Sequence, residues 1–221
     1  MSRPYSILLF GGTGQATVIH SIIVNDEEEY GNPSFQIIDE YGNKPKFPCD
    51  FYKTIEEWDR KKRKVFIMLG GFVVTIGNPN AKRRIELSEL FEQKYNISPL
   101  TVQHKSAIVF SLLGKGTQIH PGVIVNEQAK VGDWNILNTG CLVEHNCILE
   151  DGVEIGPRAV LCGNVKVGKH TWIGANATVR QNINIGADSI VGAGSVALKD
   201  IPDGEIWVGN PARFLRKNKY V

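Results

Sequence analysis

An aliphatic residue occupies every sixth position over most of the second half of the chain. A period of six fits neither an α-helix, with about 3.6 residues per turn, nor a plain strand, with two, unless the chain turns at each repeat. Fixed short self-similarity of this kind indicates a repeat solenoid. The unbroken series is Leu113, Ile119, Val125, Val131, Leu137, Val143, Leu149, Ile155, Leu161, Val167, Ile173, Val179, Ile185 and Val191.

A second series, of small residues, lies two positions before the aliphatic ones, as expected for the inner wall of a narrow prism. Three hexads then form one triangular coil, so that residues 18 apart stack at about 4.8 Å. Glycine often follows the aliphatic residue, and we expect it to relieve the steric cost of a tight corner. The small residues are Thr117, Ala129, Cys141, Cys147, Ala159, Thr171, Ala177, Ser189 and Ser195, and the glycines are 114, 132, 156, 168, 174, 186 and 192.

The first hundred residues alternate between apolar strands and helical stretches. This alternation predicts a small open parallel sheet. The boundary therefore falls near residue 100, with a Rossmann-like α/β half-domain over 1–100 and an all-β helix over 101–221. Strands are predicted at 5–10 and 35–38, one or two further strands at 65–69 and 72–76, and helices at 17–25, 54–62 and 79–95.

A glycine loop, Gly-Gly-Thr-Gly-Gln-Ala, follows the first predicted strand at 11–16. A tight turn alone would explain its first two glycines, but a strand, a glycine loop and a helix start also make an anion site from free backbone N–H groups. Asp39, at the end of the second strand, is placed to accept hydrogen bonds from a ribose or base. About 100 residues suit half of a dinucleotide fold, holding one nucleotide. The candidate nucleotide-sugar residues are Thr13, Gly14, Gln15, Asp39, Glu40 and Gly77.

The six-residue pattern resembles that of left-handed parallel β-helix proteins, most of which are acyltransferases that use a coenzyme A thioester. Together with further motifs, it makes essentially the whole chain similar to the sialic acid O-acetyltransferase-like and nucleotide-amino-sugar N-acetyltransferase family of bacterial glycan synthesis. These motifs are the glycine loop at 11–16, Ile-Gly-Asn-Pro-Asn-Ala-Lys-Arg-Arg-Ile at 76–85, Asn138-Thr139, Glu144-His145 and Val-Gly-Asn-Pro-Ala-Arg at 208–213.

This resemblance implies an acetyl-CoA-dependent N-acetyltransferase. The acceptor would be a nucleotide-linked amino sugar, of the 4-amino-4,6-dideoxyhexose type, used in surface glycans such as the lipopolysaccharide O-antigen. Family members are trimers with sites in the clefts between neighbouring prisms, so a homotrimer is expected. Two alternatives stay open: O-acetylation of a sialic acid or another sugar, and a non-catalytic binding scaffold.

His145 is the candidate general base. It follows the inward Val143 by two positions, which places it on the outer wall, and the equivalent position one coil further is Gly163. The missing side chain there would leave a gap for the thioester arm. Imidazole, with a reference pKa near 6.5, suits the removal of a proton from an amine. The other histidines are interpreted as surface or locally hydrogen-bonded residues: His20, His104, His120 and His170, the last two at solvated repeat positions.

The family pattern implies residues that support His145, and this sequence differs from that pattern at three positions. Asn146 stands where relatives often carry an acid after the catalytic histidine, and Glu154 stands where some carry a second histidine that contacts the acyl carbonyl. Gln15 replaces a histidine of the glycine loop. We assign Asn138, Asn146 and Glu154 to the support of His145, and Gly163, Ala175 and Ala193 to acetyl-CoA.

The composition and charge of the chain indicate which partners, which location and which metal content to expect. The 221 residues carry a formal charge of +2 and are 42% hydrophobic, so no strong field points to nucleic acid or to a membrane. No signal peptide and no apolar run of about 18 residues is visible, which predicts a cytoplasmic protein without a membrane span. Cys141 and Cys147 occupy inward repeat positions, and their spacing with His145 matches no common zinc pattern, so no metal is expected.

Overall fold

The computed structural model describes residues 5–62 and 69–219. The described residues of the first part of the chain form a parallel sheet with strand order β3-β2-β1-β4 and helices packed on it, which we call the N-terminal unit. Its strands are β1 (Ser6–Phe10), β2 (Ser34–Ile38), β3 (Asp50–Tyr52) and β4 (Leu69–Val74). Its helices are α1 (Gly14–Val24), α2 (Glu27–Tyr30), α3 (Ile55–Lys62) and α4 (Ala81–Tyr95).

Most of these elements were predicted from the sequence, but the bounds of some of them differ from the prediction. α1 begins at Gly14, inside the glycine loop and three residues before the predicted start, because Thr13 already adopts the extended conformation of an N-cap. The short elements α2 and β3 were not predicted. Of the strand or strands expected at 65–69 and 72–76, the structure shows β4 alone, and residues 65–68 lie outside the described ranges.

The central strand β1 is buried along its whole length, because helices cover both faces of the sheet. Leu8 and Phe10 point toward the cluster that contains Trp58 of α3 and Phe91 of α4, whereas Ile7 and Leu9 point toward α1. Burial on both faces explains why β1 is apolar from Ile7 to Phe10.

The described residues from Val102 onward form a triangular coil, which we call the β-helix. Strands 18 residues apart pair in parallel, as Ile136 with Glu154 and Leu142 with Val160. The first sheet contains Val102–Gln103, Gln118–Ile119, Ile136–Leu137, Glu154–Ile155, Trp172–Ile173, Ile190–Val191, β5 (Glu205–Val208) and β6 (Arg213–Lys217). The second contains Ile108–Val109, Ile124–Val125, Leu142–Val143, Val160–Leu161, Thr178–Val179 and Val196–Ala197, and the third contains Lys130–Val131, Ile148–Leu149, Lys166–Val167 and Asn184–Ile185. An α/β unit followed by a left-handed parallel β-helix is thus confirmed as the fold class.

The two residue series of the hexads form the core of the coil, as predicted. The aliphatic positions from Ile119 to Val191 and the small positions between them are buried in one continuous cluster or beside it. Cys141 and Cys147 are free, completely buried thiols. Burial raises the pKa of Cys141 to about 12 and that of Cys147 to about 11, so both thiols stay protonated at neutral pH.

The corner role that we predicted for the glycines after each aliphatic residue is wrong. These glycines do not have a positive φ; instead, a Cβ at Gly156 would lie 2.6 Å from the backbone nitrogen of Ala175 in the next coil. They therefore allow close stacking of coils. The left-handed residue of each corner lies two positions later, and the sequence is less regular there: Gly116, Gly122, Gln128, Trp134, Gly140, Asn146, Gly152, Arg158, Asn164, His170, Asn176, Asn182, Asp188 and Gly194 all have φ between 55° and 70°.

The N-terminal unit packs directly on the first sheet of the β-helix. The ring of Trp134 stacks on Phe72 with a centroid distance of 6.2 Å and joins the core beneath α4. Arg84, fully buried on α4, donates hydrogen bonds to the carbonyl oxygens of Ile76 at 2.6 Å, Gly152 at 2.9 Å and Trp134 at 3.0 Å. These hydrogen bonds hold the residues that follow β4 against the β-helix.

Candidate active site

A cavity of about 410 Å³ lies at the carboxyl ends of β1, β2 and β4. Ligands of open α/β sheets bind at such an edge, because loops and helix starts converge there. Five of the predicted nucleotide-sugar residues line the cavity, whereas Gly14, the first residue of α1, does not: the lining predicted residues are Thr13, Gln15, Asp39, Glu40 and Gly77.

Several polar residues of this cavity were not predicted from the sequence. Arg83 is the most informative, since its guanidinium lies 3.6 Å from Glu40 and brings a positive charge to the cavity wall. It stands in the motif at 76–85, which was noted as a pattern without a role for each side chain. The other missed polar residues are Tyr41, Asn43, Thr75, Asn78 and Asn80.

Asp39 is buried and organises the loop that follows β2. Its Oδ2 accepts a hydrogen bond from the Gly12 amide at 2.6 Å, and its Oδ1 accepts from the amides of Tyr41 at 2.9 Å and Asn43 at 3.1 Å. The carboxylate therefore ties the glycine loop to the cavity wall. Direct contact between Asp39 and a ribose stays a prediction, and any such contact would share oxygens that already have protein donors.

His145 lies exposed at the corner between the second and third sheets, after the strand Leu142–Val143. The gap that we predicted over Gly163 is filled by the histidine itself, because a Cβ at Gly163 would lie 2.7 Å from Nε2 of the imidazole. Glycine is thus needed there to seat the ring against the next coil. Nδ1 of His145 lies 3.1 Å from Nδ2 of Asn146, which is also the left-handed residue of this corner.

The other supporting residues lie elsewhere in the chain. Asn138 and Glu154 belong to the first sheet and its corner, where Nδ2 of Asn138 donates to Oε1 of Glu154 at 3.2 Å. Oε2 of Glu154 accepts from the Asn78 amide at 2.7 Å, at the edge of the cavity. Ala175 and Ala193 follow strands of the same first sheet. Within one chain, therefore, Asn138 and Glu154 adjoin the cavity, Ala175 and Ala193 share only their sheet, and none of the four lies at the corner of His145 and Gly163.

The prediction that His120 is solvated is wrong. The ring is 2% exposed, because the N-terminal unit covers this part of the first sheet, and its Nε2 lies 3.0 Å from Nε2 of Gln15. Burial, with a smaller contribution from His104, lowers the pKa of His120 to about 4. The remaining interpretations agree with the structure, since His20 stacks on Phe47 and His170 pairs with Asp188.

This lowered pKa predicts a stability effect in acid. With an ordinary pKa near 6.5 in the unfolded chain, neutral His120 contributes its full stabilisation above pH 6.5 and loses it as pH falls toward 4, a change on the order of 3 kcal/mol. The free energy of unfolding of His120→Phe should therefore approach that of the wild type between pH 7 and pH 4, as measured by urea denaturation at each pH. Parallel pH curves for the two proteins would contradict the neutral, buried state of this ring.

No group of three or more His, Cys, Asp or Glu side chains in residues 5–62 and 69–219 is arranged to hold a metal ion. Within the same ranges, none of the helices has the length and apolar character required to cross a bilayer.

Comparison with known proteins relates this geometry to one family. Residues 164–197 match the family model for bacterial transferase hexapeptide (six repeats). The GDP-perosamine N-acetyltransferase of Escherichia coli O157:H7 is 30% identical over 155 residues, which are 66% of this chain and 68% of that protein.

Solved structures extend the likeness over nearly the whole chain. PerB from Caulobacter crescentus, in complex with CoA and GDP-perosamine, has a TM-score of 0.81 at 29% identity, over 96% of this chain and 97% of that one. The acetyltransferase domain of PglB from Neisseria gonorrhoeae, in complex with acetyl coenzyme A, has a TM-score of 0.81 at 26% identity, over 96% and 100%. The chain therefore belongs to the hexapeptide-repeat family of acetyl-CoA-dependent sugar N-acetyltransferases.

Proposed function

We propose that this protein transfers the acetyl group of acetyl-CoA to the amino group of a nucleotide-linked 4-amino-4,6-dideoxyhexose. The observation that carries the proposal is the likeness to PerB, which spans both the cavity and the β-helix and whose structure holds CoA and GDP-perosamine. We assign binding of the nucleotide sugar to residues 1–100 and acyl transfer to residues 101–221. We place the reaction in the cytoplasm, in the synthesis of a bacterial surface glycan such as the O-antigen.

The cavity suits the nucleotide diphosphate. Thr13 provides no side-chain cap for α1, so the first backbone N–H groups of this helix remain available to phosphate oxygens. Arg83 adds a positive charge on the same cavity. Asp39, Glu40 and Gly77 complete the wall around the nucleoside.

His145 is proposed to act as the general base. Its Nε2 takes one proton from the protonated acceptor amine, and the freed nitrogen attacks the thioester carbonyl. The C–S bond of the tetrahedral intermediate then breaks, and the extra N–H proton of the intermediate passes to the departing CoA sulfur, which leaves the amide and free CoA thiol. For Nε2 to be the free acceptor, Nδ1 must carry the ring proton. A half-turn of the neighbouring Asn146 amide places its Oδ1 where it can accept that proton, at the 3.1 Å separation seen here.

A homotrimer would bring the two halves of the site together. His145 and Gly163 occupy the corner between the second and third sheets, whereas Asn138 and Glu154 belong to the first sheet and adjoin the cavity at Asn78. A second copy that sets its His145 corner against the first sheet of its neighbour would complete the site, with acetyl-CoA held between Gly163 of one copy and Ala175 and Ala193 of the next.

The shared site predicts complementation between two inactive variants. We expect His145→Ala and Arg83→Glu to be poorly active alone, and mixed oligomers isolated by two different affinity tags to regain activity, because some interfaces then contain both native halves. Light scattering should give a trimer mass for the wild type. A monomer, or mixed oligomers as inactive as their parents, would contradict the shared site.

The reaction itself is tested by release of free thiol from acetyl-CoA with GDP-, UDP- and dTDP-linked 4-amino-4,6-dideoxyhexoses. An amide in the product, identified by NMR, supports N-acetylation. Turnover with sialic acid or another unactivated sugar and formation of an ester would favour the O-acetyltransferase alternative. If no acceptor causes release of thiol, the protein would be assigned to the remaining alternative, a non-catalytic binding scaffold.

Asp39 provides a substrate-specific prediction. We expect Asp39→Ala to raise the KM for the nucleotide sugar by 10-fold or more, because the loop of Tyr41 and Asn43 loses its anchor, while the KM for acetyl-CoA changes less than twofold. Initial-rate kinetics with each substrate varied in turn measure both. Asp50→Ala, at an exposed position, is the matched control; equal effects of Asp39→Ala on the two KM values would reject the assignment.

A further inference from the structure

Gln15 is held by two residues of the β-helix that the proposed reaction does not otherwise use. The first is Gln118, which is 1% exposed and donates from Nε2 to the carbonyl oxygen of Val74 at 2.9 Å. A carbonyl can only accept, so the other amide atom of Gln118, Oε1, is left as an acceptor. It receives one hydrogen of the Gln15 amide, with Nε2 of Gln15 at 3.4 Å.

His120 takes the second hydrogen of the same amide nitrogen. Its Nε2 lies 3.0 Å from Nε2 of Gln15 and must therefore be the unprotonated, accepting nitrogen of the ring. This assignment requires a neutral ring with its proton on Nδ1. Burial keeps the ring neutral, because it lowers the pKa of His120 to about 4.

Both hydrogens of the Gln15 amide are thus committed, and Oε1 is what the side chain can still offer. No described residue donates a hydrogen bond to this oxygen, and Gln15 lines the cavity. A carbonyl oxygen repels phosphate oxygens but accepts from hydroxyl and amino groups. Its partner is then a hydroxyl or amino group of the acceptor and not the diphosphate. Among these donors we assign those of the hexose, because Gln118 and His120 hold the Gln15 amide against the β-helix, to which we assign acyl transfer.

We propose that Gln15 is a specificity-determining residue that accepts a hydrogen bond from a hydroxyl or amino group of the hexose, and that Gln118 and His120 are positioning residues that fix its amide. This inference rests on the proposed function. It differs from a general binding role for Gln15 because it fixes the polarity of the contact: a donor on the sugar is selected, and an acceptor there is excluded.

The kinetic test uses Gln15→Met, His120→Phe and the double variant. Gln15→Met should raise the KM for the nucleotide sugar by about 10-fold to 100-fold, with the KM for acetyl-CoA within twofold, since a lost hydrogen bond to a substrate donor has about this effect. His120→Phe should raise it less, and the double variant should equal Gln15→Met, because a residue that acts through another adds nothing once that residue is removed. Gln93→Met, exposed on α4, is the matched control. Additive effects, or an unchanged KM in Gln15→Met, would overturn the proposal.

A second measurement needs neither turnover nor ligand. The ¹⁵N chemical shifts of His120 in the wild-type protein should show the tautomer with hydrogen on Nδ1. Hydrogen on Nε2 would overturn the fixed amide even if the enzyme accepts the expected substrates. The expected tautomer without turnover of any nucleotide amino sugar would instead locate the failure in the proposed function.

Discussion

His145→Ala is expected to lower turnover by about 100-fold to 10,000-fold, the usual range for the loss of a general base. The side chain is exposed at a corner and contributes nothing to the interior of the coil, so the fold and thermal stability should be unchanged. Steady-state kinetics at saturating nucleotide sugar and acetyl-CoA measure the loss.

His170→Ala is the appropriate comparison, because His170 also occupies a corner of the coil but pairs with Asp188. It should retain most of the wild-type turnover. If His145→Ala remains near-native at saturating acceptor, the amine must lose its proton to water or to another group such as Glu154, and the proposed mechanism would have to be abandoned.

Arg84→Met is expected to produce the largest loss of stability, on the order of 3 kcal/mol or more. Arg84 is fully buried and donates to three backbone carbonyl oxygens from α4, and methionine fills the space without replacing any donor. Burial lowers the pKa of the guanidinium to about 10, so it is still charged at neutral pH and its hydrogen bonds are charge-assisted.

For a chain of this length, such a loss corresponds to a decrease in melting temperature on the order of 10 °C. Calorimetry or circular dichroism measures it, and Arg60→Met, at an exposed position of α3, should leave the melting temperature unchanged. A shift below about 2 °C for Arg84→Met would show that the contact between α4 and the coil contributes little.

The hexad pattern could be read directly because one physical constraint, a narrow triangular interior, applies to each repeat in turn. The corner geometry could not be read in this way. Gly, Asn and Asp adopt the left-handed backbone conformation at low cost, and Trp134 and His170 adopt it here as well, so no single residue type marks a corner. The true reason for glycine after the aliphatic residue, contact with the next coil, involves residues 18 positions away and is invisible in a local pattern.

The candidate site was predictable where it follows strand ends and less so where it depends on tertiary packing. Asp39 and Gln15 were found because carboxyl ends of parallel strands meet at one edge. His120 was placed in solvent because its repeat position faces outward, and nothing in its own hexad reveals that the N-terminal unit covers it. The filled space over Gly163 was missed for a related reason, since side-chain direction at a corner is not fixed by spacing.

The antiparallel strand β6 affects whether the protein can polymerise. A stack of parallel coils ends in a row of unpaired N–H and C=O groups, which is a template for the growth of fibrils from like chains. β6 closes the first sheet with reversed direction, and its Arg213, Arg216 and Lys217 place positive charges along the fully exposed edge. Reversed polarity and mutual repulsion make this end a poor acceptor for another coil, so the repeat terminates instead of propagating from molecule to molecule.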